Sequence, residues 1–282
     1  SSGCCWPVFE NMPSKSSSSE TGALLHDSPW SIHRRVIGAL LVRELLTRYG
    51  RNNIGFLWLF VEPAIFVLIV TIVWSTLKNI HGSNLPIVAF ALTGYSSLLL
   101  WRNAVSRCIG AVRSNKALLF HRQVTITDIF TARILLELIA ISTALVGLTF
   151  GFYAFGWLNL PEDALQVTGG WLLLAWFAAG LGLTIGGLSE KADVIGRFWH
   201  PFSYILMTVS GVAYIVDALP PQMREIALWV PMVNAVEYMR EGWFGSAMRA
   251  HYDLAYLAAF NVGLTLVGLT LVRQIGFDSS DE

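Results

Sequence analysis

The chain has 282 residues, of which 54 % are hydrophobic and 13 % charged, with mean hydropathy +0.56 and no formal net charge. Ordinary soluble domains carry roughly 25 % charged residues, so the composition excludes a soluble globular protein and points to an integral membrane protein. The zero net charge gives no ground for nucleic-acid binding, and Cys4, Cys5 and Cys108 form neither a CxxC pair nor an even set, which argues against a zinc site or a disulfide framework.

The Ser-rich stretch at 1–27, with its "SKSSSS" run, lacks the apolar core and small-residue cleavage site of a signal peptide and reads as a disordered tail. Residues 28–50 are too charged to span a bilayer. Ser28 and Pro29 make a helix start, and Leu41, Val42, Leu45, Leu46 and Tyr49 share one arc opposite Arg43, Glu44, Thr47 and Arg48. Two readings fit that pattern: an amphipathic helix lying in the cytoplasmic interface, or the same helix packed on protein.

Residues 51–282 carry the apolar segments. A hydrocarbon core of about 30 Å needs roughly 20 helical residues, and six stretches qualify, at about 56–77, 86–104, 132–157, 166–188, 199–219 and 254–273. The predicted fold class is therefore all-α and membrane-embedded, with six transmembrane helices. The first span, "GFLWLFVEPAIFVLIVTIVW", contains Glu62 and Pro63 side by side. A span starting at Pro63 would be too short before Lys78, so the pair lies about 10 Å into the helix at 1.5 Å per residue. Proline removes a backbone hydrogen bond and kinks the helix. The carboxylate either pairs with Arg48, Arg51 or Arg102 as a hinge, or snorkels or stands protonated against protein.

With the N-terminus inside, fifteen of the nineteen Lys and Arg residues fall on the cytoplasmic side, and only Lys78, Arg224, Arg240 and Arg249 fall outside. That asymmetry puts both termini in the cytoplasm. The cytoplasmic segment between spans two and three carries Arg113, Lys116, His121 and Arg122 around the apolar run Ala117, Leu118, Leu119 and Phe120. It is either a solvated loop or a short helix whose uncovered apolar patch marks a partner. The last outer loop, about 218–253, holds two short proline-started helices, after Pro221 and Pro231, that are too short to span and read as re-entrant.

Catalytic motifs are absent from the sequence. There is no G-x-x-x-x-G-K-[ST] loop for nucleotide, no G-x-S-x-G elbow and no H-E-x-x-H. Within the spans, Glu137 lies four residues after Arg133, and an intrahelical pair is the simplest expectation for it. No acidic ladder suited to a proton relay runs through the spans. Tyr204, Tyr214, Trp229, Tyr238, Trp243 and Phe244 cluster around span five and the outer loop. They suit either a glycan pathway, by ring stacking, or an interfacial girdle.

Three stretches carry a family resemblance. "RELLTRYGRNNIGFLWLFVEPAIF", "GYSSLLLWRNAVSRCIGAVRSNKALLFHRQVTITDIFTARILLE" and "LPPQMREIALWVPMVNAVEYMREGWF" resemble, in order and spacing, the membrane permeases of capsular-polysaccharide ABC exporters of the KpsM type. Their matching polar positions are Glu62 and Pro63 in the first stretch, and Pro231, Asn234, Glu237 and Arg240 in the last. Ile54 departs from the leucine of the first motif. The resemblance implies a homodimer of six-span subunits in the inner membrane that moves a lipid-linked acidic polysaccharide. It also implies a cytoplasmic ATPase subunit that binds the ATP and Mg, a periplasmic adaptor and an outer-membrane channel. This chain would bind no cofactor, and Arg113, Lys116, Leu118, Leu119, Phe120, His121 and Arg122 would form the helix that couples to the ATPase. Other cargoes, such as O-antigen or teichoic acid, and a non-transporting scaffold of a polymer-synthesis complex are the alternatives.

Overall fold

The computed structural model describes residues 29–49, 54–81, 86–116 and 124–278. Among them it holds nine α-helices, three short 3-10 turns and no strand. The helices are α1 (Pro29–Tyr49), α2 (Ile54–His81), α3 (Ile87–Cys108), α4 (Ile126–Ala154), α5 (Ala164–Lys191), α6 (Asp193–Val209), α7 (Pro221–Leu228), α8 (Pro231–Phe244) and α9 (Leu254–Asp278). The chain is an all-helical integral membrane protein. Ile126–Ala154, Ala164–Lys191 and Leu254–Ile275 are each long and apolar enough to cross a bilayer, and α2 carries a shorter apolar stretch at Leu57–Val73.

Local chemistry explains where the helix ends depart from an apolar-window reading. α4 begins at Ile126 rather than near 132, because Thr125 and Asp128 form a reciprocal capping box. A charged residue in the first turn hides that start from hydropathy. Asp163 caps α5 in the same way, accepting from the N–H groups of Leu165 and Gln166. Span five, expected over 199–219, is instead a helix over Asp193–Val209. It stops because Gly211 takes a φ of 76°, open to glycine without a Cβ clash. The following residues turn their carbonyls toward α8, so this stretch of backbone is used for hydrogen bonding to Arg240 rather than for continuing the helix. The two proline-started helices of the last loop are present as α7 and α8.

α5 is the central helix and packs on α3, α8 and α9. Close approach requires glycine in its N-terminal half: a Cβ on Gly170 would lie 2.9 Å from the Met239 backbone of α8. Trp101, Leu100, Leu174 and Met239 are fully buried where these helices meet. α1 lies against α4, with Leu40 buried and Val36, Ile37 and Leu41 packed near Cys108, Ile129 and Phe130. The single apolar arc expected of α1 therefore divides. Leu41 faces protein, while Val42, Leu45 and Leu46 stay exposed, as does Trp30 near the start of the helix.

Candidate functional site

Two polar clusters sit at opposite ends of the helical bundle. The first surrounds the segment that leaves α3 and enters α4. After Cys108 the chain turns at Gly110, with φ 66°, and forms a 3-10 turn over Arg113–Asn115. Arg113 pairs with Glu190 at 3.4 Å and with Asp193, and it donates to the Ser189 carbonyl at 3.3 Å. It thereby braces the junction of α5 and α6. The Glu190 carboxylate also accepts from the Val112 N–H at 2.9 Å. From α1, Arg43 donates to the Asn115 side chain at 2.5 Å, and His33 meets the buried Asp128 carboxylate at 2.9 Å. α1 thus holds both the entrance and the exit of the segment. Lys116 is exposed, and Leu118, Leu119, Phe120, His121 and Arg122 lie outside the described residues.

Glu137 departs from its expected intrahelical pairing with Arg133. Its buried carboxylate accepts from Arg107 of α3 at 3.0 Å, while Arg133 reaches Glu44 of α1 at 3.5 Å, the Arg107 carbonyl at 2.7 Å and the Ser114 hydroxyl at 2.9 Å. Arg133 is committed to those partners, and Arg107 takes its place at the carboxylate. These groups enclose a cavity of about 170 Å³.

The second cluster is built on α8. Asn234, Glu237 and Arg240 recur at three-residue spacing, all essentially inaccessible, so one helical face carries three polar groups into the protein. Each holds loop backbone. Asn234 donates to the Leu228 carbonyl at 2.9 Å and accepts from the Asp253 N–H at 2.8 Å. The Glu237 carboxylate accepts from the Val216 N–H at 3.1 Å and the His251 N–H at 3.4 Å. Arg240 donates to the carbonyls of Gly211 (2.6 Å), Val212 (2.7 Å) and Tyr214 (2.9 Å), with its guanidinium 3.9 Å from the Phe90 ring centroid. Gly94 of α3 makes room for that guanidinium: a Cβ there would stand 2.6 Å from the Val212 oxygen and 2.8 Å from Arg240. The motif residues Glu237 and Arg240 therefore organise the loops on either side of α7 and α8.

Two further groups tie those loops together, and motif reading missed both. His251 Nε2 meets Asp217 Oδ1 at 2.9 Å, with Arg224 3.3 Å from the same oxygen. The hydrogen bond from His251, and then the nearby Arg224, hold the Asp217 carboxyl below the usual carboxylate range. Tyr252 donates to Glu241 at 2.8 Å, and burial followed by that acidic neighbour pushes its phenol up to about 12, which keeps it a donor.

The aromatic set does not form one patch. Tyr204 lies on α6 under the Arg102 guanidinium, 4.6 Å from its ring centroid. Tyr214 donates to the Val209 carbonyl. Trp229 is exposed and packs edge-on to Tyr256. Tyr238 meets Tyr252 edge-on at 5.1 Å, beside a cavity of about 720 Å³ that Glu162, Gln166 and Glu241 also line. Trp243 and Phe244 are buried. On α2, Glu62 is exposed and Pro63 buried, and the helix runs unbroken through both. No ion pair joins Glu62 to another described side chain. Of its expected partners, Arg51 lies outside the described residues and Arg102 is stacked on Tyr204.

Among the described residues, no group of three or more His, Cys, Asp or Glu side chains is arranged to hold a metal. The polar groups instead fix loops and helix ends, which defines a polytopic helical membrane protein whose two ends are rigidly organised. Comparison with known proteins agrees with that class. The family described as ABC-2 type transporter matches residues 35–244, and the chain belongs to that family. It is 43 % identical over 244 residues to the capsule polysaccharide export inner-membrane protein CtrC of Neisseria meningitidis serogroup B, covering 86 % of this chain and 92 % of that protein. It is 39 % identical, with the same coverage, to the capsule polysaccharide export inner-membrane protein BexB of Haemophilus influenzae. It is 25 % identical over 246 residues to the polysialic acid transport protein KpsM of Escherichia coli, covering 87 % of this chain and 95 % of that protein.

Proposed function

We propose that the chain is the membrane permease of an ATP-driven exporter that carries lipid-linked capsular polysaccharide across the inner membrane. The observation that carries this reading is the 39–43 % identity, over 86 % of the chain, to proteins named for capsule polysaccharide export. With no Walker A loop in the sequence, ATP and Mg belong to a partner ATPase, and the segment between α3 and α4 is the element that docks on it.

In the finer reading, the spans are α2, α3, α4, α5, α6 with the turn that follows it, and α9, with α7 and α8 re-entrant at the periplasmic side and both termini cytoplasmic. The charge asymmetry supports this orientation. Two copies pair around the route. α6 supports that pairing, since it leaves Val194, Phe198, Phe202, Ile205 and Val209 exposed along its length. A periplasmic adaptor and an outer-membrane channel continue the path.

The test is complementation. In an encapsulated Neisseria strain lacking its own inner-membrane export protein, this chain expressed with its neighbouring ATPase restores surface capsule, measured by whole-cell binding of anti-capsule antibody. Intracellular polymer accumulation despite correct membrane insertion of both subunits would overturn the reading. No capsule there, with O-antigen or teichoic acid export restored in a host lacking the corresponding permease, would reassign the cargo.

A further inference from the structure

A cavity of about 480 Å³ opens between the outer halves of α4 and α5, within the roughly 300–1,000 Å³ typical of ligand sites. Its rim is apolar and exposed, at Val146 (53 %) and Phe150 (60 %) of α4 and Leu160 of the connecting loop. Both helices are among those long and apolar enough to cross the bilayer. The opening therefore faces hydrocarbon, and what enters it comes from the bilayer.

The lining states the chemistry of the occupant. Its hydroxyls are already engaged: Ser142 accepts from Trp171 Nε1 at 2.8 Å, Thr149 donates to the Leu145 carbonyl, and Thr168 donates to the Ala164 carbonyl. The body of the groove asks for no hydrogen bond. Trp243 of α8 is the exception. It lines the groove, the residue is 94 % buried, and its Nε1–H has no acceptor among the described residues, so a carbonyl reaches it by a small shift of the ring toward the groove. An orphaned buried donor is costly unless a ligand supplies an acceptor. A long alkyl chain with one carbonyl near its end matches both demands.

We propose that this groove holds one acyl chain of a bilayer phospholipid, with its ester carbonyl accepting from Trp243 Nε1. The chain fills the space between Val146, Phe150, Val167 and Trp171, and the lipid stays with the protein while bulk lipid exchanges around it. The inference needs only α4 and α5 in a membrane and is independent of the exported cargo.

The test uses the full chain with its ATPase in nanodiscs of phosphatidylethanolamine and phosphatidylglycerol, doped with a phospholipid carrying a diazirine along one acyl chain. After irradiation, peptide mass spectrometry is expected to find adducts concentrated on 142–150 and 160–171. Val146→Trp, which fills the opening, removes most of them. Trp243→Phe keeps the ring but lowers their yield by about threefold to tenfold, the worth of one hydrogen bond. Both variants must melt as the wild type does; if Val146→Trp does not, Val146→Phe takes its place. Adducts spread evenly over the exposed faces of α2, α4 and α9, or unchanged by either variant, overturn the proposal. So does protection of the groove by a second copy of the chain, or labelling that occurs only with an acyl probe attached to a glycan.

Discussion

Arg240 shows how a charge can be kept inside this protein. Its guanidinium spreads over three loop carbonyls and a phenyl face, and hydrogen bonds to a charged group are worth about 1.5–3 kcal/mol each. Arg240→Met leaves Gly211, Val212 and Tyr214 without their donor and is expected to destabilise the protein by at least about 3 kcal/mol. Arg240→Lys retains the charge but not the planar fork, and it should fall between the two. Thermal melting in detergent reads both, and a wild-type melt for Arg240→Met would show that the residue is dispensable to the fold. Gly94→Ala tests the same cradle from α3. Its Cβ would stand within 2.8 Å of the guanidinium, so a loss of about 1–3 kcal/mol is expected from overpacking. The motif positions Glu237 and Arg240 were legible in the sequence, but their role was not. A three-residue spacing announces a shared helical face, whereas the groups they hold are backbone atoms of loops 10 to 30 residues away, and side-chain patterns carry no record of those.

At the scale of elements, the segment between α3 and α4 is held by its neighbours in a way the basic pattern alone misjudges. The sequence presents Arg113 as a free cation suited to a partner, yet it is neutralised by Glu190 and Asp193 at the start of α6. The only signal for this was the acidic pair in "SEKAD", sitting among loops that are otherwise basic. A charge swap separates the two roles. Arg113→Glu should lower transport and ATPase stimulation, and adding Glu190→Arg with Asp193→Arg should recover a substantial part if the contact is internal. No recovery, with assembly intact, would assign Arg113 to the ATPase surface. The Asp217–His251 clasp at the other end has its own signature. Because the folded state holds the Asp217 carboxyl low, its stabilisation is present above the ordinary aspartate value near 4 and is lost as pH falls below it. The readout is hydrogen exchange in 210–219 and 249–253, corrected for intrinsic rates. Protection should drop in acid, and Asp217→Asn should abolish that step.

For the whole molecule, hydropathy located helix cores well and helix ends poorly. The window expected at 199–219 ran on past Val209 because "GVAYIVDAL" is apolar, although its backbone is committed to Arg240 rather than to a helix. α6 is also sparsely enclosed. Only Trp199 and Ser203 are buried, while Phe198, Phe202 and Ile205 face outward. Lipid or a second copy of the chain covers such a stripe, and cross-linking distinguishes the two. If two copies pair across α6, a cysteine at Phe198, Phe202 or Ile205, placed in a chain with Cys4 and Cys5 replaced by serine, should give disulfide-linked dimers on mild oxidation in membranes. The buried Cys108 should stay unreactive, and cysteines at Val146 or Phe150 on α4 should not cross-link. Linking across α6 should also block export while leaving the ATPase bound, since a two-state interface held shut cannot cycle. Cross-links from α4 with none from α6 would place the pairing face on the opposite side of the subunit and leave the α6 stripe to lipid.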